Sequence, residues 1–299
     1  MISLKRLLVL FSSCLAIAAA QTPRPVPDGK TDASAPLTVT VGGRDLLIPM
    51  PAEGFVRCDG INDVWDKAMS GFLPATNRLL GYFCTAADAE ALRQKTQPDM
   101  GTNFNLQTLR KLETEEVGTK TFASISGSMR KELEGMEEQL KEKLKKAVET
   151  GGARAGEETN VEVALSLSDV AFVGFFDEAN PSVLGFTMAM KGQGTIAGKE
   201  HKTNSITAAY MVPANGRLLL LYATRPFDGE ADRKEAERSV KAWGEAIMAS
   251  NIKVEGKAIS SGAGGLFKNV GRSGLIGAIV GGLAALVGIV IAKSRRGAA

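Results

Sequence analysis

Histidine is nearly absent from this chain. His201 is the only one among 299 residues, so any Ser-His-Asp, Cys-His or multi-histidine metal mechanism would have to run through it. It sits among Lys199, Glu200 and Lys202 beside a glycine-rich stretch, which is the setting of an exposed loop residue. Cysteine is scarce as well, and the three present show neither Cys-x-x-Cys spacing nor a neighbouring histidine, which argues against metal or thiol-redox chemistry. The chain has no Gly-x-Ser-x-Gly elbow, no His-Glu-x-x-His run, no calcium loop and no Asn-x-Ser/Thr acceptor. The last absence leans towards a bacterial envelope. Charge of one sign is also lacking: the formal balance is only +3, part of it sits near the termini, and no basic stripe is studded with aromatics. Nucleic acid is therefore not expected as a partner.

What is present at the ends is more telling. Leu275 to Ala292 is a run of eighteen residues without charge or proline, followed by Lys293, Arg295 and Arg296. That is the pattern of a membrane-spanning helix with a cytoplasmic stop, so a bilayer is an expected partner. At the other end Lys5 and Arg6 precede an apolar stretch, Leu7 to Ala20, that closes on Ala18-Ala19-Ala20. This reads as a cleaved signal peptide, residues 1–20, with Gln21 as the first mature residue. As a retained anchor its fourteen residues would reach only roughly 21 Å, short of a hydrocarbon core of about 30 Å. A lipoprotein signal at Cys14 fits less well, because the apolar run continues through Leu15, Ala16 and Ile17.

A cleaved leader and one late span together predict a single-pass protein of the bacterial inner membrane, ectodomain in the periplasm and C-terminus in the cytoplasm. The expected domains are a flexible lead over 21–36, an ectodomain over 37–255, a glycine-rich linker over 256–272, a span over 273–292 and a basic tail over 293–299. Small residues recur four apart in the span, as Gly274, Ala278 and Gly282 and again as Gly277, Gly281 and Ala285. Such rows let two helices approach closely, which would make a homodimer; alternatively glycine is simply common in bacterial membrane helices.

Between the ends, 44% hydrophobic and 23% charged residues are ordinary globular composition. Cys58 and Cys84 survive in the mature chain. In an oxidising compartment they would pair if their Cα atoms come within about 7 Å, worth on the order of 3 to 4 kcal/mol in the chain-entropy model. Otherwise they are two separate buried thiols.

Periodicity predicts an α+β fold, an antiparallel sheet flanked by helices. Leu37, Val39 and Val41 alternate with threonines, Gly42-Gly43 supplies turn positions, and Leu46 to Ile48 returns as the second arm of a hairpin. A short helix is expected between Asp59 and Gly71 with Ile61, Val64, Trp65 and Ala68 on one face. Arg78 to Thr85 reads as a buried strand, Ala86 to Lys95 as a helix, and Phe104, Leu106 and Thr108 as a strand. Gly127 to Thr150 reads as a helix with Met129, Leu133, Met136, Leu140, Leu144 and Val148 in one stripe, ended by Gly151-Gly152. Period-two runs follow: Val161 to Ser168, with Phe172 to Phe176 as its buried neighbour, then Leu184 to Met190, Ile206 to Val212, and Leu218 to Ala223 beyond the tight connection Pro213-Ala214-Asn215-Gly216. Glu230 to Ser250 reads as a closing amphipathic helix with Asn251 as a left-handed stop.

The stretch NGRLLLLYATRPFDGEADRKEAERSVKAWGEAIMASN resembles the last hairpin strand and C-terminal helix of PsbP-like domains. The likeness rests on element order and carries no catalytic motif. It implies an antiparallel sheet flanked by helices and a docking or accessory role, although architecture alone does not convey function.

Two further features invite chemical readings. Gly192-x-Gly194-x-x-x-Gly198 followed by Lys199 looks like a phosphate loop, but the glycine that a P-loop needs four residues before its Gly-Lys pair is missing and no strand-to-helix junction is expected there. A hairpin tip is the better reading. Asp169, Asp177, Glu178 and Asp228 lie near strand ends, where paired acids serve acid-base chemistry only if the fold brings them together. No catalytic residue, cofactor site or metal site is assigned. The expected function is a non-catalytic binding or assembly ectodomain acting on an unidentified envelope protein. The alternative is a ligand-binding or sensory domain, which calls for an apolar pocket with a few convergent polar groups against the sheet. An enzyme would need clustered acids of perturbed pKa in such a pocket.

Overall fold

The structure, a computed structural model, describes residues 35–258 apart from positions 97, 100, 136, 161 and 197. The expected leader, the apolar run Leu275 to Ala292 with its small-residue rows (Gly274, Gly277, Ala278, Gly281, Gly282, Ala285) and the basic tail lie outside the described residues. Among the described residues no helix is long and apolar enough to cross a membrane.

Glycine sets the first turn. Leu37–Val41 (β1) and Arg44–Ile48 (β2) pair antiparallel around Gly42 and Gly43, whose φ values of +51° and +76° favour glycine. A lone hairpin is marginal in water; this one buries Val39, Val41, Leu46 and Ile48 against a larger sheet. The chain then runs through β3 (Phe55–Arg57), α1 (Asp63–Phe72), β4 (Asn77–Thr85), α2 (Ala86–Arg93) and β5 (Asn103–Leu109). Next come α3 (Thr119–Glu134), α4 (Glu137–Thr159), β6 (Val163–Phe176), β7 (Leu184–Ile196), β8 (Lys199–Ala214), β9 (Arg217–Pro226) and α5 (Glu230–Ser250).

The fold is α+β. Seven strands form one antiparallel sheet in the order β3-β4-β5-β9-β8-β7-β6. Helices α3 and α4 carry the chain from the centre of the sheet to its far edge. A meander then returns strand by strand until β9 closes on β5. Its last turn, Asn215-Gly216 with φ +45° and +71°, has the signs of a tight type I′ hairpin.

One face of the sheet is covered by α5 and the β1–β2 hairpin. Trp243 anchors it, packing edge-on against Phe83 and Phe104 with centroids 5.3 and 5.6 Å away, while its indole N–H donates to Pro49 O at 2.9 Å. Large buried aromatics with a satisfied polar tip supply much of the docking energy of a helix on a sheet. The other face is covered by α1 to α4, whose buried residues form a second core with β4 to β9.

Several expectations are corrected. The long charged helix is two helices: it begins at Thr119, breaks around Gly135, and α4 runs on to Thr159 through Gly151 and Gly152. Those glycines do not end it because they are contact points. A Cβ on Gly151 would lie 2.8 Å from the Phe72 ring, and one on Gly152 would lie 3.1 Å from Leu165. Phe172 to Phe176 is not a separate buried strand but the second half of β6, a half-buried sheet edge with register shifts at Leu167/Asp169 and Phe172/Gly174. Val64 is 52% exposed rather than inward-facing. Asn251 is extended, not left-handed; its side chain ends α5 by donating to Ile247 O and by exchanging hydrogen bonds with both backbone groups of Leu47 on β2.

Candidate functional site

The N-terminus of α3 has no capping side chain. Its N-cap is Gly118, and the N–H groups of the first turn need acceptors. The last described stretch of the chain supplies them: Thr119 N donates to Val254 O at 2.9 Å and Lys120 N to Glu255 O at 2.7 Å, while Thr121 Oγ1 donates to Lys257 O at 2.9 Å. A Cβ on Gly118 would lie 2.4 Å from the backbone of this strap, so only glycine admits it. Lys120 and Glu255 add an exposed ion pair, which lowers the Glu255 carboxyl below its usual range.

The strap bounds an open groove of about 390 Å³. Its walls include Pro213 from the end of β8, Met248 from the last turn of α5, Ile252 and Val254 from the strap, and Asn180 from the β6–β7 loop. Ile252 is 72% exposed. Thr119, Asn180, Ser182 and Lys253 line it alongside these apolar groups, and a mixed groove beside an exposed isoleucine suits contact with another protein surface.

A second feature lies inside, on the helix-covered face. Asn103, Asn105 and Gln107 fall on that side of β5 and are fully buried. Amides chain across the strands: Thr76 Oγ1 donates to Asn77 Oδ1, Asn77 Nδ2 to Gln107 Oε1 at 2.7 Å, and Gln107 Nε2 to Asn105 Oδ1 at 2.9 Å. Such a chain polarises each successive donor. It ends on Asn105 Nδ2, which has no protein partner, between its register neighbours Tyr82 on β4 and Tyr222 on β9. Trp65 of α1 packs 6.2 Å from Tyr82, and neither the Trp65 indole N–H nor the Tyr82 hydroxyl has a protein partner. Buried polar groups left this way call for a bound polar molecule or ordered water. Burial, and then the neighbouring Cys58 and Cys84, push the Tyr82 hydroxyl well up, so it stays protonated.

A group of acids stands just before and within α1. Arg57 forks onto Asp59 at 2.9 and 2.6 Å, and Asp66 accepts from Gly60 N at 2.9 Å. Desolvation, with Asp59 and Asp63 nearby, raises the Asp66 carboxyl from 3.8 to about 6. The folded state therefore holds this proton at pH values where the unfolded chain has released it, and stability falls as pH rises through that window. Asp66→Asn is expected to stabilise the protein by on the order of 1 kcal/mol near pH 7, allowing for solvent screening at this partly exposed site, and to change nothing near pH 3.5. Urea unfolding at the two pH values checks this, and an equal effect at both would refute it.

The other residues singled out from sequence are dispersed. Asp177 accepts from Tyr210 Oη at 2.5 Å and Lys241 Nζ at 2.7 Å, tying the end of β6 to α5. Glu178 approaches Arg130 at 3.5 Å, whereas Asp169 lies in the exposed part of the β6 edge and Asp228 at the exposed entry to α5. The fold does not gather these four. Gly192 and Gly194 lie in β7, Gly198 turns with φ +76°, and Lys199 and His201 begin β8. That stretch joins two paired strands rather than a strand to a helix, so it lacks the junction that a phosphate loop needs. Among the described residues no cluster of acids, cysteines and histidine is arranged to hold a metal ion. Cys58 and Cys84 are not joined in this structure, and both are fully buried in the helix-side core.

Sequence reasoning missed the amide chain. Asn103-x-Asn105-x-Gln107 alternating with Phe104 and Leu106 is the pattern of a half-exposed strand. The contrary signal was in the neighbours: β4 and β9 are apolar on both alternating rows, which marks a sheet buried on both faces. The strap had no periodic signature at all. Neither a protein-family model nor a curated protein matches this chain.

Proposed function

We propose that this is a single-span, membrane-anchored protein of the bacterial envelope whose α+β ectodomain faces the periplasm and works without catalysis, by docking another envelope protein. The observation that carries the reading is the groove closed by the strap Ile252 to Lys257. It lies at the end of the domain where the chain continues towards the apolar run Leu275 to Ala292, so a protein held there would sit close to the bilayer. The resemblance to PsbP-like domains, with their accessory role, points the same way.

A photo-crosslinking residue placed at Ile252 in the full-length protein, in intact envelopes, tests it. A discrete protein adduct is expected, and none from the same probe at Lys234 on the outer side of α5. Equal adducts at both sites, or none at Ile252, would overturn the docking role. Release of the full-length protein from vesicles by alkaline carbonate would overturn the anchor.

A second reading, a ligand-binding or sensory domain, is favoured by the unpartnered Trp65, Tyr82 and Asn105 atoms on the helix-covered face. It predicts a small neutral molecule co-purifying with the folded domain and lost on Asn105→Leu.

A further inference from the structure

Neither cysteine enters the groove or the amide chain, yet the fold places them together. β3 pairs with β4 at Val56↔Cys84 and Arg57↔Phe83, and Cys58 N extends the ladder by donating to Tyr82 O at 2.9 Å. Cys58 therefore lies opposite Tyr82, one diagonal step from Cys84 and on the same face of the sheet. Diagonal neighbours across a sheet stand about 7 to 8 Å apart, at the limit that a disulfide spans, so the pair closes with a small backbone movement. The Cys58 thiol donates to Tyr82 O at 3.5 Å, Cys84 is the neighbouring group that acts on it most, and both residues are completely buried. Cys58 also stands just past a three-residue strand at the sheet edge. Bringing the sulfurs together moves a short edge rather than a central strand.

We propose that Cys58 and Cys84 form a disulfide in the exported protein, closed during folding, before α1 packs over the edge that it staples. Timing follows from burial. Once the core is assembled, desolvation holds the Cys58 thiol up, and a buried neutral thiol neither attacks nor meets an oxidant. In the unfolded chain both thiols are open to solvent and to an oxidant. The thiolate of one cysteine attacks the disulfide of an oxidant, either a protein thiol oxidase or oxidised glutathione, and expels one thiol. The thiolate of the other then displaces the second. The two cysteines lose two electrons and two protons, and the oxidant's disulfide is reduced to two thiols. The bond joins β3, and the lead into α1, to β4, so it guards the edge whose loosening would expose Trp65 and Tyr82.

In the cell this inference rests on the exported topology proposed above, and the test separates the two. Full-length protein is taken from membranes under acid quench, unfolded, and treated with a maleimide-polymer reagent before and after reduction. No adduct before reduction and two after are expected. Two adducts before reduction overturn the pairing. A retained leader keeps the thiol of Cys14, giving one adduct before and three after, which overturns leader cleavage while supporting the pairing. The second arm needs no export: reduced, denatured full-length protein is refolded in a glutathione redox buffer. The bond is expected to form there, and then to resist dithiothreitol until denaturant is added. Refolding to native protein with both thiols free would overturn the proposal.

Discussion

Arg217→Met is expected to destabilise the protein by about 3 to 5 kcal/mol, because it strips a buried guanidinium from backbone carbonyls in two separate segments that it holds to the sheet. Arg217 opens β9 and is 6% exposed. Its Nε donates to Val41 O at 3.1 Å and its Nη2 to Gly42 O at 2.8 Å, at the turn of the first hairpin. Its Nη1 donates to Thr114 O at 3.2 Å and Glu115 O at 2.7 Å, in the loop that leads to α3. One side chain therefore ties the β1–β2 hairpin and the α3 approach to the central sheet. Methionine keeps the apolar stem but removes these charge-assisted hydrogen bonds. Lysine keeps the charge yet lacks the planar fork, so Arg217→Lys is expected to recover less than half of the loss. Urea unfolding measures the total, and hydrogen exchange locates it: amides of β1 and β2 should lose protection first. A loss below about 1 kcal/mol would mean that water satisfies these carbonyls and that the hairpin is held by its apolar contacts alone.

How much of this was legible depends on the range of the interactions. Elements specified locally read correctly. The first hairpin follows from Gly42-Gly43 between alternating residues and α5 from its amphipathic spacing, and the β8–β9 connection expected over Pro213 to Gly216 narrows to Asn215-Gly216, with Pro213 and Ala214 paired in β8. Elements decided by partners distant in sequence did not. Nothing near Gly151 and Gly152 announces that Phe72 and Leu165 will press against them, so a pair that normally ends a helix sits inside one. Asn251 carried a helix-stop signal, but its conformation was decided by Leu47, on the other side of the chain. The amide chain is the same case, since its inward direction depends on helices being laid over β5. As for function, the dispersed carboxylates were readable only as residues near strand ends, and their separation in space comes from topology. The groove was unreadable because its walls come from four separate segments and the strap between α5 and the linker has no pattern of its own.

A close backbone approach between α1 and α4 predicts the other large effect. A Cβ on Gly71, in the last turn of α1, would lie 2.9 Å from the backbone nitrogen of Ala155 in α4 and 3.0 Å from its Cα. Backbone cannot step aside as a flexible side-chain tip can, so a substitution there must push the helices apart. Gly71→Ala sets a helix-propensity gain of at most about 1 kcal/mol against an overpacking cost of about 1 to 3 kcal/mol. The net effect is destabilising. Gly71→Leu adds volume with nowhere to go and is expected to cost more than 3 kcal/mol, lowering the melting temperature by roughly 6 to 12 °C for a domain of this size. Gly127, exposed on α3 with nothing within 4 Å of its would-be Cβ, is the matched control. Gly127→Ala keeps the propensity gain without the clash and should raise the melting temperature by about 2 to 4 °C. Separating α1 from α4 would also let water in towards Trp65, Tyr82 and Asn105, so intrinsic tryptophan emission should shift to the red in Gly71→Leu before global unfolding. Were Gly71→Leu to melt like the parent with unchanged emission, the tight α1–α4 crossing could not be what seals the polar interior.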